Sequence, residues 1–133
     1  MALVVRALCA LAVLGTGCSL EPGAAPTAIT VRIEHSRFVP AVLEVKAGES
    51  VRFEVVNDDP IDHEFLIGDE TVQDLHERGT ESHHGARPGE ISVPAGASAE
   101  TTYRFDEPGT LIFGCHLPQH YAYGMRGVIR IEG

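Results

Sequence analysis

Tryptophan is absent from this chain of 133 residues, and aromatic side chains make up only 6% of it. A packed core must therefore come mainly from Val, Ile, Leu and Ala. Positive charge is also scarce: 10 Lys and Arg stand against 19 Asp and Glu, a formal net charge of -9. An acidic surface of that size repels phosphate backbones, which argues against nucleic acid as a partner. It suits instead a partner with a basic docking face. Long apolar runs are missing too, since Ala7 to Gly15 is too short to span a bilayer as a mature helix. Cysteine is the last scarcity, with three in the whole chain. What the chain does have is 44% hydrophobic and 22% charged residues, which exclude wholesale disorder and suit one compact, monomeric domain.

The N-terminus reads as a targeting segment. Arg6 supplies a positive flank, the apolar stretch follows, and small residues lead to Cys18 in Leu14-Gly15-Thr16-Gly17-Cys18. This is expected to be a signal peptide over 1–17, with Cys18 lipidated as in bacterial lipoproteins. Residues 18–27, rich in Pro, Gly and Ala, would be a flexible tether, and 28–133 the folded domain. The expected location is extracytoplasmic: anchored to the cell membrane through that lipid, or otherwise periplasmic or secreted. Cys9 leaves with the signal, so Cys115 is the one cysteine inside the domain. A lone thiol in an oxidising compartment rules out a disulfide scaffold and calls for another reason.

From Ala28 onward, short alternating segments are separated by turn signals. Strands are expected over 28–34, 42–46, 50–57, 64–67, 91–93, 101–105, 110–113 and 127–132, with turns at Ala47-Gly48-Glu49, Pro94-Ala95-Gly96 and Pro108-Gly109. This spacing predicts an all-β, Greek-key β-sandwich. Asp69 to Arg78 departs from the rhythm, with acidic residues first and Arg last, and reads as a short helix. With the polar loop after it, it forms an insertion around 69–89. His76, His83 and His84 there could bind a second metal, although a solvated polar loop is the plainer reading.

The chemistry concentrates in Gly114-Cys115-His116-Leu117-Pro118-Gln119-His120-Tyr121-Ala122-Tyr123-Gly124-Met125, a loop between two strands. A thiolate, an imidazole and a thioether together suit copper; thioether is a poor zinc ligand. His63, in the loop after a well-marked strand, supplies a second imidazole. No open coordination position or nucleophile–base pair suggests an enzyme.

An early His followed by C-x4-H-x4-M in one late loop resembles the cupredoxins, the blue copper proteins that include plastocyanin, azurin and sulfocyanin. Phe38-Val39-Pro40, Leu43 to Gly48 and Val55-Val56-Asn57 resemble the opening of that fold, and the likeness runs from about Ile29 to Glu132. The resemblance implies one type 1 copper ion held by His63, Cys115 and His120, with Met125 as weak axial ligand, and a role in one-electron transfer. Copper storage, delivery or resistance is the alternative. His116 is expected to face away from that ion, beside the site and without a metal role. The pattern C-H-x3-H also occurs in multicopper oxidases, but there a His precedes the Cys, and here the position is Gly114. Many cupredoxins follow the first His with an Asn that ties the two ligand loops; here Glu64 stands there, and Asn57 is the candidate substitute. Pro118 removes one N–H donor near the thiolate, an arrangement expected to favour the reduced state.

Overall fold

The computed structural model describes residues 25–79 and 87–133. The expected signal peptide, Cys18, most of the tether and the pair His83-His84 lie outside the described residues. Nine strands and one helix follow in order: β1 (Thr27–Ile33), β2 (Phe38–Val39), β3 (Val42–Lys46), β4 (Ser50–Asn57), β5 (His63–Gly68), α1 (Glu70–Glu77), β6 (Glu90–Val93), β7 (Ser98–Arg104), β8 (Gly109–Gly114) and β9 (Arg126–Glu132). They form two sheets, β2-β1-β4-β7 and β3-β9-β8-β5-β6. The pairs β1–β4 and β3–β9 run parallel and the others antiparallel, giving the expected β-sandwich. Pairing begins at Thr27 against Val51, one residue ahead of the expected boundary.

Alternation along each strand decides which face is buried. In β4, Val51, Phe53 and Val55 turn inward while Arg52 and Glu54 face solvent. Facing sheets then close on a phenylalanine cluster. Phe53 lies 5.6 Å from Phe65, Phe65 lies 5.4 Å from Phe113, and Phe38 meets both at 5.7 and 5.2 Å. Each such buried side chain contributes roughly 1.5–3 kcal/mol relative to exposure, which is how a chain without tryptophan fills its core. Phe38 also explains β2, a strand of two residues whose length leaves no periodic signal.

The helix sits where the sequence predicts it. Asp69 caps it by accepting the Val72 N–H at 2.9 Å, and Arg78 closes it. Its inner face is fastened by the buried Gln73, whose amide nitrogen donates to the carbonyls of Leu66 (3.2 Å) and Ile112 (3.1 Å). Those carbonyls belong to β5 and β8, so α1 is pinned across two neighbouring strands. The start of β5, the end of β8 and the start of β9 meet at that same end of the sandwich.

Candidate metal centre

This end gathers the sequence-predicted ligands. His63 opens β5, Cys115 follows β8, and Met125 immediately precedes β9. The Cys115 sulfur lies 3.3 Å from His120 Nδ1 and 3.9 Å from His63 Nδ1. Among the described residues, these three form the one group of His, Cys, Asp or Glu whose ligand atoms all lie within 4.8 Å of one another. His63, Cys115 and Met125 are buried, and His120 is partly exposed. The loop closes on itself, because the Met125 N–H donates to the His120 carbonyl (3.0 Å) and the Cys115 N–H to the Met125 carbonyl (3.1 Å). One thiol, two imidazoles and a thioether on that frame fit a soft-to-borderline ion.

His63 is oriented from behind. Its Nε2 lies 3.0 Å from Asp59 Oδ2, so Nδ1 points to the sulfur. Asp59 in turn accepts the backbone N–H groups of His35 and Ser36, each at 2.7 Å. Burial opposes ionisation of Asp59, but those two N–H groups and His63 outweigh it and hold its pKa below the ordinary value. Burial also lowers the pKa of His63, an effect that Asp59 offsets only in part. The Cys115 thiol is pushed up to about 11, chiefly by burial, against the N–H groups of Glu64 and Leu117.

Asn57 does not tie the ligand loops together. Its amide nitrogen is committed to the carbonyls of Ile61, Val93 and Pro94 (2.8, 3.0 and 3.1 Å), and its oxygen to the Asp59 N–H (3.0 Å). It therefore shapes the turn before His63 and anchors it to the end of β6. Glu64 makes the tie instead. Its N–H lies 3.4 Å from the Cys115 sulfur, and its carboxylate accepts the His116 N–H at 2.6 Å.

His116 points to the α1 side, with a side chain only 1% exposed. It stacks on Tyr121 (centroids 4.4 Å apart, planes at 19°), and its ring nitrogens meet Glu77 Oε2 at 2.5 Å and Gln73 Oε1 at 2.6 Å. His76 joins this group from α1 and is not part of a solvated loop, since its side chain is 8% exposed. Pro118 is exposed on the rim. A side chain at Gly114 is sterically barred, because a Cβ there would lie 2.7 Å from the Tyr121 ring. Asp59, Gln73 and Glu77 carried no periodic or motif signal, and only proximity in space reveals their parts.

The comparisons with known proteins agree with this architecture. A family model described as a cupredoxin-like domain matches residues 7–129. The chain is 38% identical over 119 residues to the copper-resistant cuproprotein CopI of Rubrivivax gelatinosus, covering 84% of this chain and 72% of that protein. It is 28% identical over 148 residues to the protein of the same name from Pseudomonas aeruginosa, covering 87% and 82%. Among solved structures, the reduced auracyanin of Roseiflexus castenholzii superposes with a TM-score of 0.68 at 24% identity, covering 82% of this chain and 99% of that one. A multicopper oxidase matches with a TM-score of 0.57 over only 39% of its own length. Sandwich, loop placement and sequence relatives lead to one assignment: the chain belongs to the cupredoxin-like family.

Proposed function

We propose that the protein binds one copper ion through His63, Cys115 and His120, with Met125 as the weak fourth ligand, and serves copper tolerance outside the cytoplasm. The observation that carries the reading is the buried thiol with two imidazole nitrogens at 3.3 and 3.9 Å. When bound, copper in such a set supplies a one-electron couple at a site where both oxidation states are accommodated. This chain's own residues do the rest. Asp59 holds the His63 tautomer, Glu64 locks the two ligand segments, and the surrounding core excludes water. Four protein donors leave no position for a substrate, which supports a binding protein and not an enzyme.

Copper resistance is favoured over pure electron carriage by the names of the sequence relatives. Electron exchange with a partner remains a second reading, supported by the partly exposed His120 and the exposed Tyr123 beside it. The net charge of -9 suits a basic docking face on that partner. Delivery to the cell exterior rests on the N-terminal segment, with Cys18 as the anchor. No helix among the described residues is long and apolar enough to cross a membrane.

The test adds Cu(II) to the purified protein. An intense visible sulfur-to-copper absorption, lost in Cys115→Ser, is the expected result. Copper-challenged cells lacking the gene should recover with the wild type and not with Cys115→Ser. Equal rescue by both would overturn the tolerance reading, and fast electron exchange without any growth effect would favour the carrier.

A further inference from the structure

On the α1 side of Cys115 a second group of imidazoles and carboxylates converges. The rings of His76 and His116 have centroids 5.2 Å apart, against 5.0 Å for His63 and His120. Two imidazoles on one tetrahedral ion, with metal–nitrogen bonds of about 2.0 Å, hold their centroids roughly 5 Å apart. Each ring also faces a carboxylate. His76 Nε2 lies 3.3 Å from Glu64 Oε1, and His116 Nδ1 lies 2.5 Å from Glu77 Oε2.

Gln73 settles which nitrogen of His116 faces outward. Its amide nitrogen is already spent on the carbonyls of Leu66 and Ile112, so its oxygen is what meets His116 Nε2 at 2.6 Å. A carbonyl oxygen only accepts, so Nε2 donates to it and Nδ1 is the nitrogen left to face Glu77. His116 Nδ1 and Glu77 Oε2 therefore face each other at 2.5 Å, a pair of atoms that can share one cation, either a proton or a metal ion. An imidazole that donates one N–H to a protein carbonyl and aims the other nitrogen at a charged site is the usual arrangement of a metal-binding histidine.

We infer that His76, His116, Glu64 and Glu77 form a second divalent-cation site of nitrogen and oxygen donors, suited to Cu(II) or Zn(II). Without a sulfur donor it would bind such borderline ions and give no intense charge-transfer colour. No three of these donor groups lie within 4.8 Å of one another as they stand, so binding draws the carboxylates inward. Glu77, whose side chain is 43% exposed, has room to swing. A proton shared by His116 and Glu77 is the competing occupant, and the test separates the two.

The experiment loads the first centre of the full-chain protein with Cu(I) under anaerobic conditions, then titrates Zn(II) by calorimetry. The expected result is one Zn(II) equivalent whose affinity falls at least tenfold in both His76→Gln and Glu77→Gln, with bound copper unchanged. In parallel, the imidazole nitrogen resonances of His76 and His116 in the wild-type protein should shift on Zn(II) addition. Resonances that stay still, no Zn(II) uptake, or an equivalent that survives both substitutions would each overturn the inference. Because the resonance measurement uses the wild type, a variant that fails to fold does not blunt it. Loss of Cu(I) binding would sink the reading of the first centre alone, because the His76 and His116 resonances report Zn(II) whether or not copper is bound there.

Discussion

Asp59 stands behind His63, its Oδ2 3.0 Å from the ring Nε2, and both its oxygens are gripped by backbone N–H groups of a turn twenty-odd residues earlier. The turn, the carboxylate and the imidazole form one rigid chain ending at the ligand atom. Asp59→Asn keeps the size and removes the charge. It also places an NH2 group where only acceptors fit, against the His35 N–H in one orientation or against the Ser36 N–H and the His63 ring nitrogen in the other. Metal affinity is expected to fall about 10–100-fold, measured by competition with a Cu(I) chelator. The metal-free protein should lose about 1–3 kcal/mol in urea unfolding.

The same turn carries a conformational strain. His35 and Ser36 are consecutive non-glycine residues with φ of 52° and 53°. That left-handed conformation is what aims both N–H groups at one carboxylate. Ser36→Gly should therefore stabilise the protein by about 0.5–1 kcal/mol, read as a higher urea midpoint at unchanged slope. A lower midpoint would mean that the Ser36 side chain supports the turn.

Stability of the metal-free protein should peak over a window of pH. Folding lowers the pKa of His63, so the unfolded chain takes up its proton first and stability drops as pH falls below about 6.5. The depressed Asp59 pKa adds a further loss at more acid pH, as that carboxylate is protonated in the native state. Folding raises Cys115 from 9.0 to about 11, so its contribution is intact below pH 9 and is lost as pH rises toward 11. That alkaline loss is about 2–3 kcal/mol. Copper should flatten the alkaline limb, because a bound thiolate no longer carries a proton. Unfolding midpoints from about pH 2 to about pH 11, with and without copper, check both limbs.

Glu64 can be dissected by two substitutions. Glu64→Gln keeps an oxygen for the His116 N–H and should cost less than about 1 kcal/mol. Glu64→Ala leaves that N–H without its partner and should cost about 1–3 kcal/mol, with a broadened copper absorption as the two ligand segments loosen. Equal effects from both would assign the role to charge.

The sequence made the sandwich legible because its strands are half-buried and alternate, as β4 does. The ligand set was legible because three of its members share one short loop. What stayed hidden depends on contacts between distant segments. Asp59 and His35 are far apart in sequence, and the partners of Gln73 and Glu77 come from another strand and loop. Asn57 was a reasonable candidate for the loop tie by residue type, yet its amide nitrogen is exhausted by the Ile61 carbonyl in its own turn and the Val93 and Pro94 carbonyls at the end of β6. The expectation attached to Pro118 fails on electrostatics. An N–H aimed at a thiolate offsets its negative charge and favours the reduced ion, so a missing donor favours the oxidised one. The N–H groups that do reach the sulfur come from Glu64 and Leu117.

The hydrogen bonds that close the 115–125 loop run among its own residues, from Cys115 to Met125 and from Met125 to His120. Such a loop behaves as a cassette clipped between β8 and β9. Its length and rim can therefore change without breaking a strand pairing of the sandwich beneath. A scaffold of this kind lets selection retune a metal's surroundings without having to invent a new fold.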